Sequence, residues 1–158
     1  MAFKLVRSAG SVHEPAVVSL PASGVVHAGG VVIFDAATNY VSPASSASTS
    51  TNILGVALDY TQGKSEYMVR VIPFVPGQLW EADCANAIST ASVLLRHQLV
   101  DDVSVRNITG ALGGAGETAS TGIFLAYAVT GISTGSGKLI GRFLQSEGGI
   151  KTSAYAVL

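Results

Sequence analysis

Apolar and polar side chains alternate with a period of two along most of the chain, and the breaks fall at glycine, serine, threonine, asparagine and proline. That rhythm predicts short β-strands. Residues 1–14 mix Phe3, Leu5 and Val6 with Lys4, Arg7, His13 and Glu14, and read as an extended arm leading into a strand at 17–20, closed by Pro21. Val25-Val26 and the strand 31–34 flank His27-Ala28-Gly29-Gly30, whose paired glycines permit positive φ in a tight connection. Residues 53–60 and 67–72 read as a hairpin about the turn 61–64, ended by Pro73 and Pro76. Asp83 is placed to cap one helical turn within 84–92, which Asn, Ser and Thr keep short. A strand at 93–100 follows, then a second hairpin from 121–129 and 138–144 about the turn 133–137.

Residues 42–51 are a run of serine, threonine and alanine that cannot build a core alone, and they predict an exposed loop. The two hairpins repeat at an offset of about 70 residues, a spacing that suggests duplication of a small β unit. The offset lines up Thr51 with Thr121, Ile53 with Ile123, Met68-Val69-Arg70-Val71 with the stretch 139–143, and His27 with His97. The expected fold is therefore all-β: a small β-barrel or β-tulip-like body of two related lobes, with an extended N-terminal arm and at most one or two short helical turns. The expected boundaries are an arm at 1–14, lobes at 15–80 and 81–146, and a C-terminal strand or tail at 147–158.

Composition changes the picture by exclusion. Only 12% of residues are charged against 48% hydrophobic, and mean hydropathy is +0.46, so the chain is expected to fold with an unusually uncharged exterior. Such surfaces are usually covered by a partner. Nine basic against ten acidic residues leave no excess for neutralising phosphates, which argues against a nucleic-acid partner. The longest apolar run, 123–129, is far short of the ~20 residues that span a bilayer, so no membrane partner is expected. One cysteine and an N-terminus interrupted by Lys4 and Arg7 point to synthesis in a cytosol.

Candidate chemistry is sparse. His13, His27, His97 and Cys84 lack any metal-ligand spacing, so neither metal nor cofactor is expected. Cys84 with His27 or His97 as base is one way to build a nucleophile, although a small buried hydrophobe is the plainer reading. The stretch 131–138 has Ser136 where a phosphate loop needs glycine and Leu139 where it needs a hydroxyl. Glycines at 110–116 read as a loop, Asp101-Asp102 as turn residues, and the sequon at Asn107 carries no weight without a secretory route. Trp80, beside Glu81 and Asp83 at the join of the lobes, either packs that join or anchors a subunit interface. The cationic, partly apolar arm is suited to strap a neighbouring protein.

The run 30–46, then Asn52-Ile53-Leu54-Gly55-Val56-Ala57-Leu58, then Arg70-Val71-Ile72-Pro73-Phe74-Val75-Pro76-Gly77, resembles the decoration (cement) proteins of tailed-bacteriophage capsids in texture and order over roughly residues 15–146. The resemblance implies a non-enzymatic virion protein, made in the host bacterial cytoplasm and bound to the outer capsid surface. Its implied partners are the major capsid protein and itself, as a homotrimer that clamps neighbouring capsid subunits. Phe3, Lys4, Leu5, Arg7 and Trp80 are the expected contact residues. Three alternatives stay open: a head fibre or host-surface adhesin using the loop 42–51, a small enzyme built on Cys84, and an intracellular scaffold-like β module.

Overall fold

A computed structural model describes residues 2–7, 16–62, 67–85, 88–106, 122–130 and 137–144. Among them are eleven strands: β1 (Lys4–Arg7), β2 (Val18–Ala22), β3 (Val31–Asp35), β4 (Tyr40–Pro43), β5 (Ile53–Ala57), β6 (Tyr67–Pro73), β7 (Leu79–Cys84), β8 (Arg96–Leu99), β9 (Val105–Arg106), β10 (Gly122–Thr130) and β11 (Gly137–Phe143). The one helical element described is a 3₁₀ turn at Thr90–Ser92. The all-β expectation holds.

The strands form two rings with one plan. In the first, β2, β4, β3, β5 and β6 close a barrel in that order. In the second, β7, β11, β10 and β8 lead to β9, which also pairs with β7 and returns the sheet on itself. Every pairing within the rings has a counterpart of the same sense: β2–β6 with β7–β11, β5–β6 with β10–β11, β3–β5 with β8–β10, and β3–β4 with β8–β9 are antiparallel. The closing pairs are both parallel, Ala22 on Val41 and Cys84 on Val105. Even the irregularity repeats. Between Val32–Gly55 and Ile33–Ile53 the register skips Leu54, and between His97–Phe124 and Gln98–Gly122 it skips Ile123.

Register corrects the residue matching while keeping the duplicated layout. Ala22 opposes Tyr67 as Cys84 opposes Gly137, so Tyr67 and Gly137 are equivalent and stand 70 residues apart. Met68 therefore matches Lys138 instead of Leu139. His97 opposes Phe124 as Val32 opposes Gly55, so its counterpart is Val32, and His27 has no matching histidine.

The core explains why the run 53–57 is apolar at every position. Alternate side chains of a strand point to opposite faces, so a strand covered on both sides needs no polar residue. Leu54, Val32, Val69 and Val71 belong to the filling of the first ring, while Val31, Ile53, Val56 and Ile72 belong to a second cluster shared with the other ring. That shared cluster holds five aromatic side chains centred on Phe143. Phe74 stacks on it at 4.0 Å between ring centroids, and Phe3 and Phe124 meet it edge-on at 5.1 Å. Trp80 stands edge-on to Phe74 at 5.7 Å, its indole N–H donating to Gln78 Oε1. Close backbone approach is met by glycine in both hairpins. A Cβ at Gly55 would overlap the Ile72 carbonyl, and one at Gly141 the Leu125 carbonyl.

Four expectations change. Residues 2–7 of the arm are not a free strap: β1 pairs antiparallel with β7, Leu5 opposite Trp80, and Phe3 lies inside the aromatic cluster, while residues 8–14 lie outside the described residues. The run 42–51 is not a simple exposed loop, since Ala44 and Ser48 are buried and Ser48 Oγ accepts the Ser45 N–H. Asp83 caps nothing; it belongs to β7, and Ser89 caps the 3₁₀ turn. Because β7 starts at Leu79, Trp80 belongs to the second ring, and the join falls between Pro73 and Leu79. The turn 133–137, except Gly137, the glycines 110–116, His13 and the tail 147–158 lie outside the described residues.

Phe143→Ala is expected to cost about 3–5 kcal/mol, as for a large core aromatic. Deleting residues 1–7 is expected to lower the midpoint of thermal unfolding comparably, because it removes Phe3 from the same cluster. Thermal and chemical denaturation of both variants check this.

Candidate functional site

Burial divides the five expected contact residues. Phe3 and Trp80 are core side chains, so neither is an outward contact. Their aromatic surface is used up inside the molecule. Leu5 is half-buried against the same cluster, while Lys4 and Arg7 point to solvent on the outermost strand of the second sheet. Glu81, opposite Lys4 in register, is already engaged by Lys138, whose Nζ lies 2.7 Å from Glu81 Oε1 and 3.6 Å from Asp83 Oδ1.

The soft nucleophile candidates also separate. Cys84 is fully buried at the closing pair of the second ring. His97 is fully buried too, with Nε2 2.9 Å from the Ser92 carbonyl and Nδ1 3.2 Å from the Arg106 carbonyl. Burial pushes its pKa below the usual imidazole value of 6.5, and the two carbonyls oppose that shift. It ties the 3₁₀ turn to β8 and β9.

His27 is different. Its side chain is half exposed, and Nδ1 lies 2.8 Å from Oδ2 of the nearly buried Asp102, which the other ring supplies. Tyr60 flanks the imidazole at 5.9 Å between ring centroids. Gly30 makes the approach possible, since a Cβ there would stand 2.7 Å from Asp102 Oδ2. The Asp102 carbonyl also accepts the Val31 N–H at 2.6 Å, so this contact belongs to the clamp between rings. A carboxylate-oriented imidazole can exchange a proton or a hydrogen bond with a ligand through its other nitrogen. Sequence reading gave Asp101-Asp102 only turn roles, which holds for Asp101: its carboxylate accepts from Val103 N–H and Ser104 Oγ–H.

Alternation gives no sign of the most unusual surface residue. Leu94 was expected in a strand, yet it has φ +64° and is 71% exposed. A left-handed leucine backbone costs roughly 1–2 kcal/mol, and exposure of the side chain returns nothing to the fold. Its N–H donates to the Ala126 carbonyl, which ties its backbone to β10. Strain of this kind, spent on an outward apolar side chain, makes Leu94 a candidate contact residue. Met68 and Tyr60 are exposed by 58% and 57%, so the first ring presents apolar surface as well.

Among the described residues, no group of three or more His, Cys, Asp and Glu side chains is arranged to hold a metal ion. No described helix is long and apolar enough to cross a membrane. No protein-family model matches the chain, and no curated protein matches it in sequence.

The lowered His97 pKa has a definite pH signature. The unfolded chain takes up a proton at His97 before the folded chain does, so this contribution to stability is present above about pH 6.5 and lost as pH falls below it. Denaturation midpoints between pH 7.5 and 5.5 are expected to fall, with the His97 imidazole resonances titrating below 6.5 in the folded protein. A His97→Gln variant is expected to flatten the slope.

Proposed function

We propose that this chain is a structural virion protein that attaches to the outer surface of a mature phage capsid and holds neighbouring major capsid subunits together. The observation that carries the reading is Leu94, an apolar side chain exposed on strained backbone. Two rings fused through one core make a stiff body, and the low charge of the chain suits broad contacts made by many copies. Self-association as a trimer agrees with the exposed Tyr60 and Met68, since a closed oligomer covers surface that a single copy leaves wet. Attachment of this type stabilises a lattice by mass action: binding only the intact form raises the cost of opening it.

Lys4 and Arg7 remain as outward contact candidates from the first strand, and Leu94 with Tyr127 joins them in place of Phe3 and Trp80. The Leu94→Gly variant separates folding from attachment. Glycine relieves the left-handed backbone, so stability is expected to stay level or rise by up to about 1 kcal/mol. Co-sedimentation with capsids lacking the protein is expected to weaken at least ~10-fold, the loss of one apolar anchor. Unchanged capsid binding by this variant overturns the reading.

A further inference from the structure

Among the described residues, His27 is the histidine that the fold leaves at the surface, and Asp102 decides which of its nitrogens is offered to a ligand. A carboxylate oxygen only accepts hydrogen bonds, so Nδ1, 2.8 Å from Asp102 Oδ2, carries the proton. In the neutral ring the lone pair then lies on Nε2, for which no described residue supplies a hydrogen-bond partner. Asp102 keeps only 9% of its side chain exposed, and no described lysine or arginine stands within ion-pair distance of it.

Tyr60 completes the arrangement. Its exposed ring stands 5.9 Å from the imidazole, centroid to centroid, and is tilted to it by 40°. An aromatic face attracts cations lying within about 6 Å of its centre, so a cationic donor bonded to Nε2 is also within reach of that face. The backbone holds this pair together. Buried Thr61 accepts the Val26 N–H on its hydroxyl at 2.8 Å, donates that hydroxyl to the Gly24 carbonyl at 2.9 Å, and gives its own N–H to the Val26 carbonyl at 2.9 Å. Asp102 is fixed as firmly, by its carbonyl on the Val31 N–H and by the close approach that Gly30 permits.

We propose that His27, Tyr60 and Asp102 form a guanidinium-binding site at the junction of the rings, and that its ligand is an arginine side chain of a partner protein. An acceptor lone pair, an aromatic face and a carboxylate behind the imidazole all favour a cation, and none of them suits an anion. One N–H of the guanidinium donates to His27 Nε2 while its plane lies over the Tyr60 ring. A planar, weakly hydrated guanidinium meets both demands at once, whereas the compact ammonium of lysine gives up more water and does not stack. Asp102 is a positioning residue: it fixes the imidazole tautomer and supplies negative charge beneath the ligand.

Titration of the full chain at pH 8 with acetyl-arginine amide, followed by nuclear magnetic resonance of the His27 and Tyr60 rings, tests the site. No capsid enters the experiment, so its failure and the failure of the attachment reading are separate results. Before any addition, the nitrogen shifts of His27 are expected to show a protonated Nδ1 and an unprotonated Nε2. Addition is expected to give saturable shifts at Nε2 and on the Tyr60 ring with a millimolar dissociation constant, while acetyl-citrulline amide, of the same shape without the charge, methyl glucoside and acetate give none. Tyr60→Ala, which removes an exposed ring and leaves the core intact, is expected to weaken binding about 2–5-fold. Asp102→Asn is expected to weaken it at least as much and to move part of the proton to Nε2, because an amide oriented by the same contact can also donate. A protonated Nε2 in the unaltered chain, an equal response to the citrulline or the glucoside, or binding undiminished in Tyr60→Ala overturns the proposal.

Discussion

Contact between the two rings around Phe143 is the constraint on which the rest of the molecule depends. A five-strand ring of this size has room for little more than valine, alanine and leucine inside it, as the first ring shows. Such a filling removes too little surface from water to hold a ring alone. Each ring therefore makes its outer face apolar as well and places it against the other. Val31, Ile53, Val56 and Ile72 meet Phe124, Leu139 and Phe143 there, and Phe3, Phe74 and Trp80 fill the remaining space.

The shared strand plan supplies this pair of faces economically, and a few features of the connections depart from it. The same bulge recurs at Leu54 and Ile123, and the same parallel closure recurs at Ala22–Val41 and Cys84–Val105. By contrast, His27 with Asp102 and the strained Leu94 occur once each among the described residues. Asp102 and Leu94 flank β8 in the second ring, and His27 precedes β3 in the first. The shared plan gives the scaffold, and the unshared connections give it an orientation.

Much of the fold was legible from alternation alone. The hairpins β5–β6 and β10–β11, the glycine turn before β3 and the all-β class follow from period-two patterning. What failed was long-range. Nothing local in Phe3 says that its ring will lie against Phe143, and charged neighbours made the arm look like surface. Trp80 read as a boundary residue because flanking acids disguise a strand whose outward face carries Glu81 and Asp83. The 42–51 run looked free because its self-satisfying hydroxyl bonds leave no trace in hydropathy. At the site, Leu94 was hidden by a propensity that argues for a strand, and the Asp102–His27 contact by a separation of 75 residues.

The position of β1 has a consequence for biosynthesis. Its partner β7 begins more than 70 residues downstream, and the ring that receives Phe3 is complete only with Phe143. At translation rates of roughly 5–20 residues per second, Phe3 and Leu5 wait on the order of ten seconds in the nascent chain before their seat exists. The first barrel, by contrast, has all its strands once Pro73 has emerged. Lys4 and Arg7, interleaved with these apolar side chains, thus act as gatekeepers during that interval, keeping an unpaired sticky strand solvated until the second ring can take it in.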